Sequence, residues 1–374
     1  MVSLQGQKCE TPRPLNFAEP VTSACRRAVR ISVIITAYNR KNYLLNAVRS
    51  AADQTLSKDL YEVVVVKSFE DRHIDDYIRR LGFKNVIYDT PRYGERLAAG
   101  IEESSGDVLA FLEDDDEFER EKLGEVYRRF SLYKRASYLH DTRKIIYYNR
   151  PVDASIADPL IRSIVEFHEK IVPRSDVLLD PFDKSASGII LKYPGILVTV
   201  SLMSVRRECI EGRLALLKNV RISVESFIPT FAGECGLLYY TRERLTRYRI
   251  HDDNLSVPFT REGLIRALMN LMKAIEDHEL VLANSSPGNR VRDFVRRSQL
   301  EAKLTLYYAP DDIKALLHYK QNIIEALADA MELCIVGPRS IRGCVSSLLS
   351  TLYNGLPVKP LSRQTLKKAL RRST

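Results

Sequence analysis

The sequence has no apolar run long enough to cross a membrane and no segment typical of an exported protein. A membrane helix needs about 18 or more consecutive apolar residues. The most apolar stretch, residues 189–205, is interrupted by Lys192, Pro194 and Gly195. The N-terminal residues contain no apolar signal-peptide core. We therefore predict a cytoplasmic protein.

Cysteine is scarce, because the 374-residue chain has six cysteines that form no CxxC pair and no cluster with histidine. These spacings argue against a zinc site. Reduced, buried thiols are the expectation for a cytoplasmic chain, and a disulfide bond is the alternative.

Positive charge is in excess, with a formal net charge of +9, and it is concentrated in the C-terminal third. Residues 256–374 contain 18 Lys and Arg against 11 Asp and Glu. Such a surface suits acidic lipid headgroups, a phosphorylated acceptor or nucleic acid, and the alternative is a solvated helix face. The basic residues are not interleaved with aromatic residues, which makes nucleic acid the least favoured partner.

The most informative stretch is residues 108–118, where five apolar residues run directly into five acidic ones, Glu113 to Glu117. A continuous apolar run predicts a strand buried on both faces, and ligands of parallel sheets bind where such strands end. Crowded carboxylates raise one another's pKa, and Mg²⁺ or Mn²⁺ would remove that penalty. The alternative is a solvated acidic turn before a helix.

Strands and helices alternate through the first part of the chain. Apolar runs at 31–40, 61–66, 85–88 and 108–112 predict strands, and periodic segments at 41–55, 74–81, 96–104 and 119–133 predict helices. This alternation predicts an α/β fold with a doubly wound, mainly parallel sheet. Further along, we predict a strand pair at 137–149, a helix at 159–168, strands at 189–206, a helix at 207–218 and a strand at 236–250.

The character of the chain changes near Ser256. Segments 260–283, 290–308, 311–334 and 340–352 have helical periodicity, with breaks at proline and glycine. We predict an N-terminal arm (1–28), an α/β domain (29–256) and an all-helical C-terminal domain (257–374).

Three segments, in this order, resemble the family 2 glycosyltransferases of GT-A fold: ISVIITAYNR (31–40), GDVLAFLEDDD (106–116) and RYRIHDDNLS (247–256). The resemblance covers about residues 30–256. It implies a nucleotide-sugar-binding catalytic domain that transfers a hexosyl or related glycosyl group from a nucleotide-diphospho-sugar, with inversion. The implied acceptor is a hydroxyl of a glycan, a lipid-linked sugar or a small molecule. Contact with a membrane surface through the basic C-terminal region, and a homo-oligomer, are further expectations.

The resemblance also implies roles for individual residues. The implied nucleotide-sugar contacts are Thr36, Ala37, Tyr38, Arg40, Ser68, Arg96, Glu113, Asp114, Asp115, Arg247 and Arg249. Among them Tyr38 would stack on the base, and the two late arginines would neutralise phosphate charge. The implied ligands of Mg²⁺ or Mn²⁺ are Asp115, Asp116 and His251.

The acceptor hydroxyl needs a general base, which the family takes from the segment before the last core strand. Glu225 is the only acid in residues 222–227 and is the predicted base. Three features depart from the family, the first being that its paired acids at the general-base position are reduced to Glu225 alone. Lys67 and Ser68 replace paired acids that read the base, and the usual Arg-Asn before Gly100 is absent, with Arg96 one place earlier. These departures make a non-catalytic nucleotide-sugar-binding homologue one alternative. The excess of positive charge makes a nucleic-acid-binding protein a second, less favoured one.

Overall fold

The structure, a computed structural model, describes residues 28–147, 149–251, 261–309 and 311–336. The strands are β1 (Ile31–Ala37), β2 (Tyr61–Lys67), β3 (Lys84–Ile87), β4 (Val108–Glu113), β5 (Glu117–Phe118), β6 (Ala136–Tyr147), β7 (Arg150–Val152), β8 (Val177–Leu179), β9 (Met203–Arg206) and β10 (Leu237–Ile250). The helices are α1 (Leu44–Ala52), α2 (Arg72–Arg80), α3 (Tyr93–Glu102), α4 (Lys122–Leu132), α5 (Pro159–Lys170), α6 (Ala186–Lys192), α7 (Glu208–Glu211), α8 (Leu214–Leu217), α9 (Val224–Cys235), α10 (Arg261–Asn284), α11 (Val291–Tyr307), α12 (Asp311–Leu316) and α13 (Ile323–Val336). Within these ranges, no helix is both long enough and apolar enough to span a membrane.

A single sheet with the strand order β3-β2-β1-β4-β9-β6-β10-β5 forms the centre of the fold. Strand β1 pairs in parallel with β2 and β4, and β6 pairs in parallel with β10. The predicted α/β architecture, a doubly wound sheet followed by helices, is confirmed. Strand β9 runs antiparallel to both β4 and β6, which makes the sheet mixed.

Both faces of the central strands are buried, because successive side chains enter two different hydrophobic cores. Ile34 of β1 packs in the core that contains Leu97 of α3, and Ile35 packs in the core that contains Val48 of α1. Phe111 of β4 is fully buried, and burial of such a side chain stabilises the fold by about 1.5–3 kcal/mol. The two cores fix the strands and therefore the points at which they end.

Residues 189–206 do not form the predicted strands, apart from β9. Helix α6 runs to Lys192, and 3₁₀ turns follow at Pro194–Ile196 and Val200–Leu202. A short apolar run fits a buried helix as well as a strand, so periodicity did not separate them. Gly195 breaks the run, and a Cβ there would lie 2.7 Å from the carbonyl oxygen of Ile171.

Three other boundaries differ from the prediction. One long strand, β6, replaces the strand pair expected at 137–149, and it pairs with the short β7. Two shorter helices replace each of two expected ones: α7 and α8 lie in 207–218, and α12 and α13 lie in the region of 311–334. Most of the N-terminal arm, the helix predicted at 340–352 and the basic C-terminal end lie outside the described residues.

Helices α10 and α11 pack directly against the α/β part of the chain. Val281 of α10 and Val291 and Val295 of α11 are fully buried in the core that also contains Phe227 and Phe231 of α9. This packing places α10 beside the strand ends, where it forms a wall of the candidate site.

Candidate functional site

The carboxyl ends of β1, β2 and β4 lie side by side, because the strand register pairs Thr36 with Glu113 and Ala37 with Lys67. A cleft of about 500 Å³, here called the acidic cleft, opens at this edge. The lining residues are Arg40, Tyr93, Glu113, Asp115, Thr199, Val200, Ile222, Ser223, Glu225, Tyr248, Ala267, Asn270, Leu271 and Ala274. Four predicted site residues from three separate segments therefore share one cavity.

Arg40 is the cation at the centre of the acidic loop. Its Nε lies 3.0 Å from Asp114 Oδ2 and its Nη2 lies 2.5 Å from Asp114 Oδ1, which makes the pair bidentate. The same Nη2 lies 2.8 Å from Asp115 Oδ2. His251 Nε2 lies 3.1 Å from that carboxylate oxygen and 3.3 Å from Arg40 Nη1. The structure thus brings the predicted residues Arg40, Asp114, Asp115 and His251 into one network.

The carboxylates of this network differ in acidity. Burial raises the pKa of Glu113 well above its usual value, and the charges of neighbouring acids add to this effect. Burial also raises the pKa of Asp114 to about 6, against the opposing hydrogen bond from Arg40. Burial acts in the same direction on Asp115, but the hydrogen bond from His251 and the charge of Arg40 outweigh it and lower the pKa. Asp115 is therefore the acid of the loop that ionises most readily.

Asp116 is buried behind the loop and is not among the residues that line the acidic cleft. Its Oδ1 accepts a hydrogen bond of 3.0 Å from the backbone N–H of Arg249. Its Oδ2 has no hydrogen-bond partner among the described residues, and burial, with the charge of Asp115, raises the pKa of this carboxyl to about 8. The structure does not bring this predicted metal ligand to the cleft wall beside Asp115.

The two late arginines also have carboxylate partners. Arg249 is 1% exposed, donates from Nε to the carbonyl oxygen of Asp115 at 2.8 Å and pairs with Glu117. Arg247 pairs with Glu119 at 2.8 Å and with Glu117 at 3.3 Å. Arg249 therefore holds the acidic loop through the backbone of Asp115 and the side chain of Glu117. Neither arginine lines the acidic cleft. Their predicted contact with phosphate stays a prediction.

Glu225 lies in the first turn of α9 and faces the acidic cleft. Burial raises the pKa of its carboxyl to about 7, and the negative charge of Asp277 adds to the shift. Asp277, on α10, is 2% exposed and accepts backbone hydrogen bonds of 2.9, 2.8 and 2.8 Å from Arg221, Ile222 and Ser223. A helix from the C-terminal region thus holds the segment that leads into Glu225.

A second group of predicted residues forms a shelf next to the cleft, here called the Tyr38 shelf (Tyr38, Ser68 and Arg96). The Arg96 guanidinium lies 4.6 Å from the centre of the Tyr38 ring and 5.4 Å from that of Tyr93, which lines the cleft. Ser68 Oγ accepts from the backbone N–H of Asn39 at 3.0 Å. Tyr38 is 38% exposed, and an exposed aromatic ring can pack against a planar ligand.

The departure at Lys67 has a structural explanation. Lys67 is fully buried, and its Nζ lies 2.7 Å from Asp75 Oδ1 on α2. The side chain is therefore held in an ion pair with α2. This leaves Ser68 as the polar side chain that follows β2.

The donor set at the cleft can be compared with the needs of Mg²⁺ or Mn²⁺. Among the described residues, no group of three or more His, Cys, Asp or Glu is arranged to hold a metal ion. Asp115 and His251 do converge, and the guanidinium of Arg40 lies where a cation shared by them would bind. Magnesium is often held by one or two carboxylates and completed by substrate phosphates and water. The residues fit such a partial site, provided that Arg40 moves.

Residues 32–167 match the family model described as glycosyl transferase family 2. The predicted resemblance to the family 2 glycosyltransferases is confirmed over these residues. Two curated relatives are protein CgeD of Bacillus subtilis (strain 168), 26% identical over 132 residues, and an uncharacterized glycosyltransferase of Rickettsia bellii (strain RML369-C), 32% identical over 103 residues. These matches span 32% and 26% of this chain but only 30% and 14% of the relatives. The family 2 resemblance thus rests on a segment of each relative.

A solved structure shows the likeness of fold over a larger part of the chain. The crystal structure of S. aureus TarS 1–349 matches with a TM-score of 0.54 and 12% identity, covering 92% of each chain. The same protein in complex with UDP-GlcNAc matches with a TM-score of 0.51 and the same coverage. The predicted GT-A fold is therefore confirmed.

Three residues that lie at or beside the acidic cleft were not predicted from the sequence. Tyr93 joins the Tyr38 shelf to the cleft, Thr199 lines the cleft, and Asp277 supports the Glu225 segment. None of them lies in one of the three family-like segments. Thr199 has a φ of 73°, which is rare for a β-branched residue and marks a strained backbone.

Proposed function

We propose that this family 2 protein is a glycosyltransferase that moves a sugar from a nucleotide-diphospho-sugar to a hydroxyl acceptor. The observation that carries the proposal is the shared cavity of Arg40, Asp115 and Glu225 at the carboxyl ends of β1 and β4. Open α/β sheets bind their ligands at this edge.

The donor occupies the side of the cleft next to the Tyr38 shelf. The base stacks on Tyr38, and the diphosphate lies toward Arg40, whose planar guanidinium can contact two phosphate oxygens at once. The S. aureus TarS complex with UDP-GlcNAc supports a nucleotide-sugar as the donor class. Departure of the nucleoside diphosphate creates negative charge, and preorganised cations aimed at those oxygens lower the barrier.

Glu225 acts as the general base. A carboxyl whose pKa is raised to about 7 by burial is a stronger base than an ordinary glutamate and is still largely ionised above that pH. It removes the proton of the acceptor hydroxyl as the oxygen attacks the anomeric carbon. Attack from the side opposite the diphosphate inverts that carbon, which is the expected stereochemistry.

A divalent cation completes the proposed donor site. Asp115 and His251 would hold Mg²⁺ or Mn²⁺, which would supply positive charge to the diphosphate. With that cation bound, Arg40 would no longer be needed to neutralise Asp115 and could contact a phosphate oxygen.

A panel of nucleotide-sugars, incubated with Mn²⁺ and assayed for released nucleoside diphosphate, tests the proposal. Asp115→Asn and Glu225→Gln are expected to lower turnover at least a hundredfold, a range typical of lost acid–base or electrostatic groups. Glu211→Gln, which removes an exposed acid outside the cleft, is the matched control. Metal-dependent donor binding without turnover in the wild type would instead identify a non-catalytic homologue. Salt-sensitive nucleic-acid binding alone would overturn both interpretations.

A further inference from the structure

A second cavity, of about 390 Å³, lies between β6, β10 and α5. Four arginines line it, Arg143, Arg174, Arg242 and Arg244, and they define what is here called the arginine pocket. Among the described residues, the acids that line the same cavity are Asp153 and Glu169. The pocket therefore has an excess of positive charge that the acidic cleft lacks.

Arg143 is the buried member of this set. It is 5% exposed, and its Nη1 lies 2.9 Å from His168 Nδ1 and 3.0 Å from Thr199 Oγ1. Burial, with the charge of Arg143, lowers the pKa of His168 to about 3, so the imidazole is neutral and accepts this hydrogen bond. Nη2 has no hydrogen-bond partner among the described residues. Both partners of the guanidinium are neutral.

A buried guanidinium without a paired carboxylate is unfavourable, because its desolvation is not compensated by a direct ion pair. In the described part of the chain, Arg143 forms no salt bridge, although Asp116 and Asp141 act on it through space. An anion in the arginine pocket would supply the missing charge. Guanidinium groups bind phosphate with two parallel hydrogen bonds, which favours this class of anion.

The rim and walls indicate what carries the anion. Arg174, Arg242 and Arg244 are exposed to solvent and so form the rim, and Arg244 lies 3.5 Å from Glu169. Apolar side chains complete the walls, namely Ile145, Val152, Val165, Val172 and Pro173. A cationic end next to apolar walls suits a phosphate ester with an apolar body better than inorganic phosphate.

The arginine pocket is separate from the donor site but shares a wall with it. Thr199 lines the acidic cleft and accepts a hydrogen bond from Arg143, and Tyr248 lines the same cleft with its ring 5.5 Å from the Arg143 guanidinium. We infer that the arginine pocket is a second ligand site, which binds a phosphate monoester with an apolar body.

Calorimetric titration of the whole protein with phenyl phosphate, and with phenol as the uncharged control, tests this inference. The wild type is expected to bind one phenyl phosphate with an affinity that falls as salt increases, and not to bind phenol. The double variant Arg242→Gln/Arg244→Gln removes two rim side chains and is expected to bind at least tenfold more weakly. Arg79→Gln/Arg80→Gln on α2 removes the same charge from another surface and is expected to bind as the wild type does.

Two further measurements distinguish binding in the arginine pocket from binding at the acidic cleft or at scattered surface charges. Phenyl phosphate is expected to raise the melting temperature of the wild type, since a ligand stabilises the state that binds it, and to have no such effect on Arg143→Gln. Asp115→Asn, which alters only the acidic cleft, should keep the wild-type affinity. Equal losses in the rim and control variants, a loss confined to Asp115→Asn, or no saturable binding would each overturn the inference.

Discussion

Asp277→Asn is expected to disturb the candidate base without touching it. The Asp277 carboxylate accepts three backbone hydrogen bonds from the segment before Glu225, and hydrogen bonds to a charged group contribute about 1.5–3 kcal/mol each. Asparagine keeps one acceptor oxygen but places an amide donor against a backbone donor. We therefore expect a loss of about 2–4 kcal/mol in the free energy of unfolding, measured by urea denaturation.

The same substitution should change the pH dependence of turnover. The charge of Asp277 adds to the burial that raises the pKa of Glu225 to about 7. Turnover requires the ionised base, so the wild-type rate should rise with pH through about 7. In Asp277→Asn the pKa of Glu225 falls, and the inflection should move to lower pH while the maximal rate declines.

The neighbouring acid provides a matched control. Glu276 pairs with the side chain of Arg221 at 2.7 Å, and both partners are about half exposed. Such pairs contribute about 0–1 kcal/mol, so Glu276→Gln should leave stability and the pH profile nearly unchanged. An Asp277→Asn variant that loses stability but keeps the wild-type inflection would show that Asp277 supports the fold alone. Such a result would contradict the claim that the charge of Asp277 helps to raise the pKa of Glu225.

Three other predictions test the site and the fold that supports it. Arg249→Met should destabilise the protein by about 3–5 kcal/mol, since it removes a buried ion-pair partner of Glu117 and the hydrogen bond to the carbonyl oxygen of Asp115. The more exposed Arg247→Met should cost less than about 1 kcal/mol, and thermal unfolding compares the two. Gly100→Val should destabilise by about 1–3 kcal/mol through overpacking, because a Cβ there would lie 2.4 Å from Ile34 Cγ2; denaturant unfolding measures the loss. Tyr38→Ala should weaken donor binding by about 1–3 kcal/mol, the usual contribution of base stacking on an aromatic ring. Equal donor affinities of Tyr38→Ala and the wild type in a titration would contradict stacking of the base on Tyr38.

The sequence predicted the part of the fold in which local pattern and burial agree. Strands β1, β2 and β4 consist of apolar runs, and such runs are required of strands buried on both faces. Their order brings Glu113 and Asp115 to the same sheet edge as Arg40. This made the acidic loop and its neighbours recognisable without coordinates.

The features that could not be predicted from the sequence depend on contacts between distant segments. Asp277 has the pattern of an ordinary polar residue of an amphipathic helix, and only the packing of α10 shows that it binds the backbone before Glu225. The alternation of Arg247 and Arg249 places both side chains on one face of β10, but the pairing of β10 with β5 was needed to reveal their acidic partners. In residues 189–206 the apolar run was compatible with two periods, and tertiary packing selected the helix.

The most direct measurement compares donor binding with turnover in Glu225→Gln and Asp115→Asn, using whichever nucleotide-sugar the wild type consumes. Glu225→Gln should bind the donor with nearly wild-type affinity in the presence of Mn²⁺ and fail to turn it over. Asp115→Asn should lose the metal-dependent part of donor binding. Wild-type turnover by Glu225→Gln, or donor affinity that is independent of both Asp115 and the metal, would contradict the claim that these two acids serve one catalytic cleft.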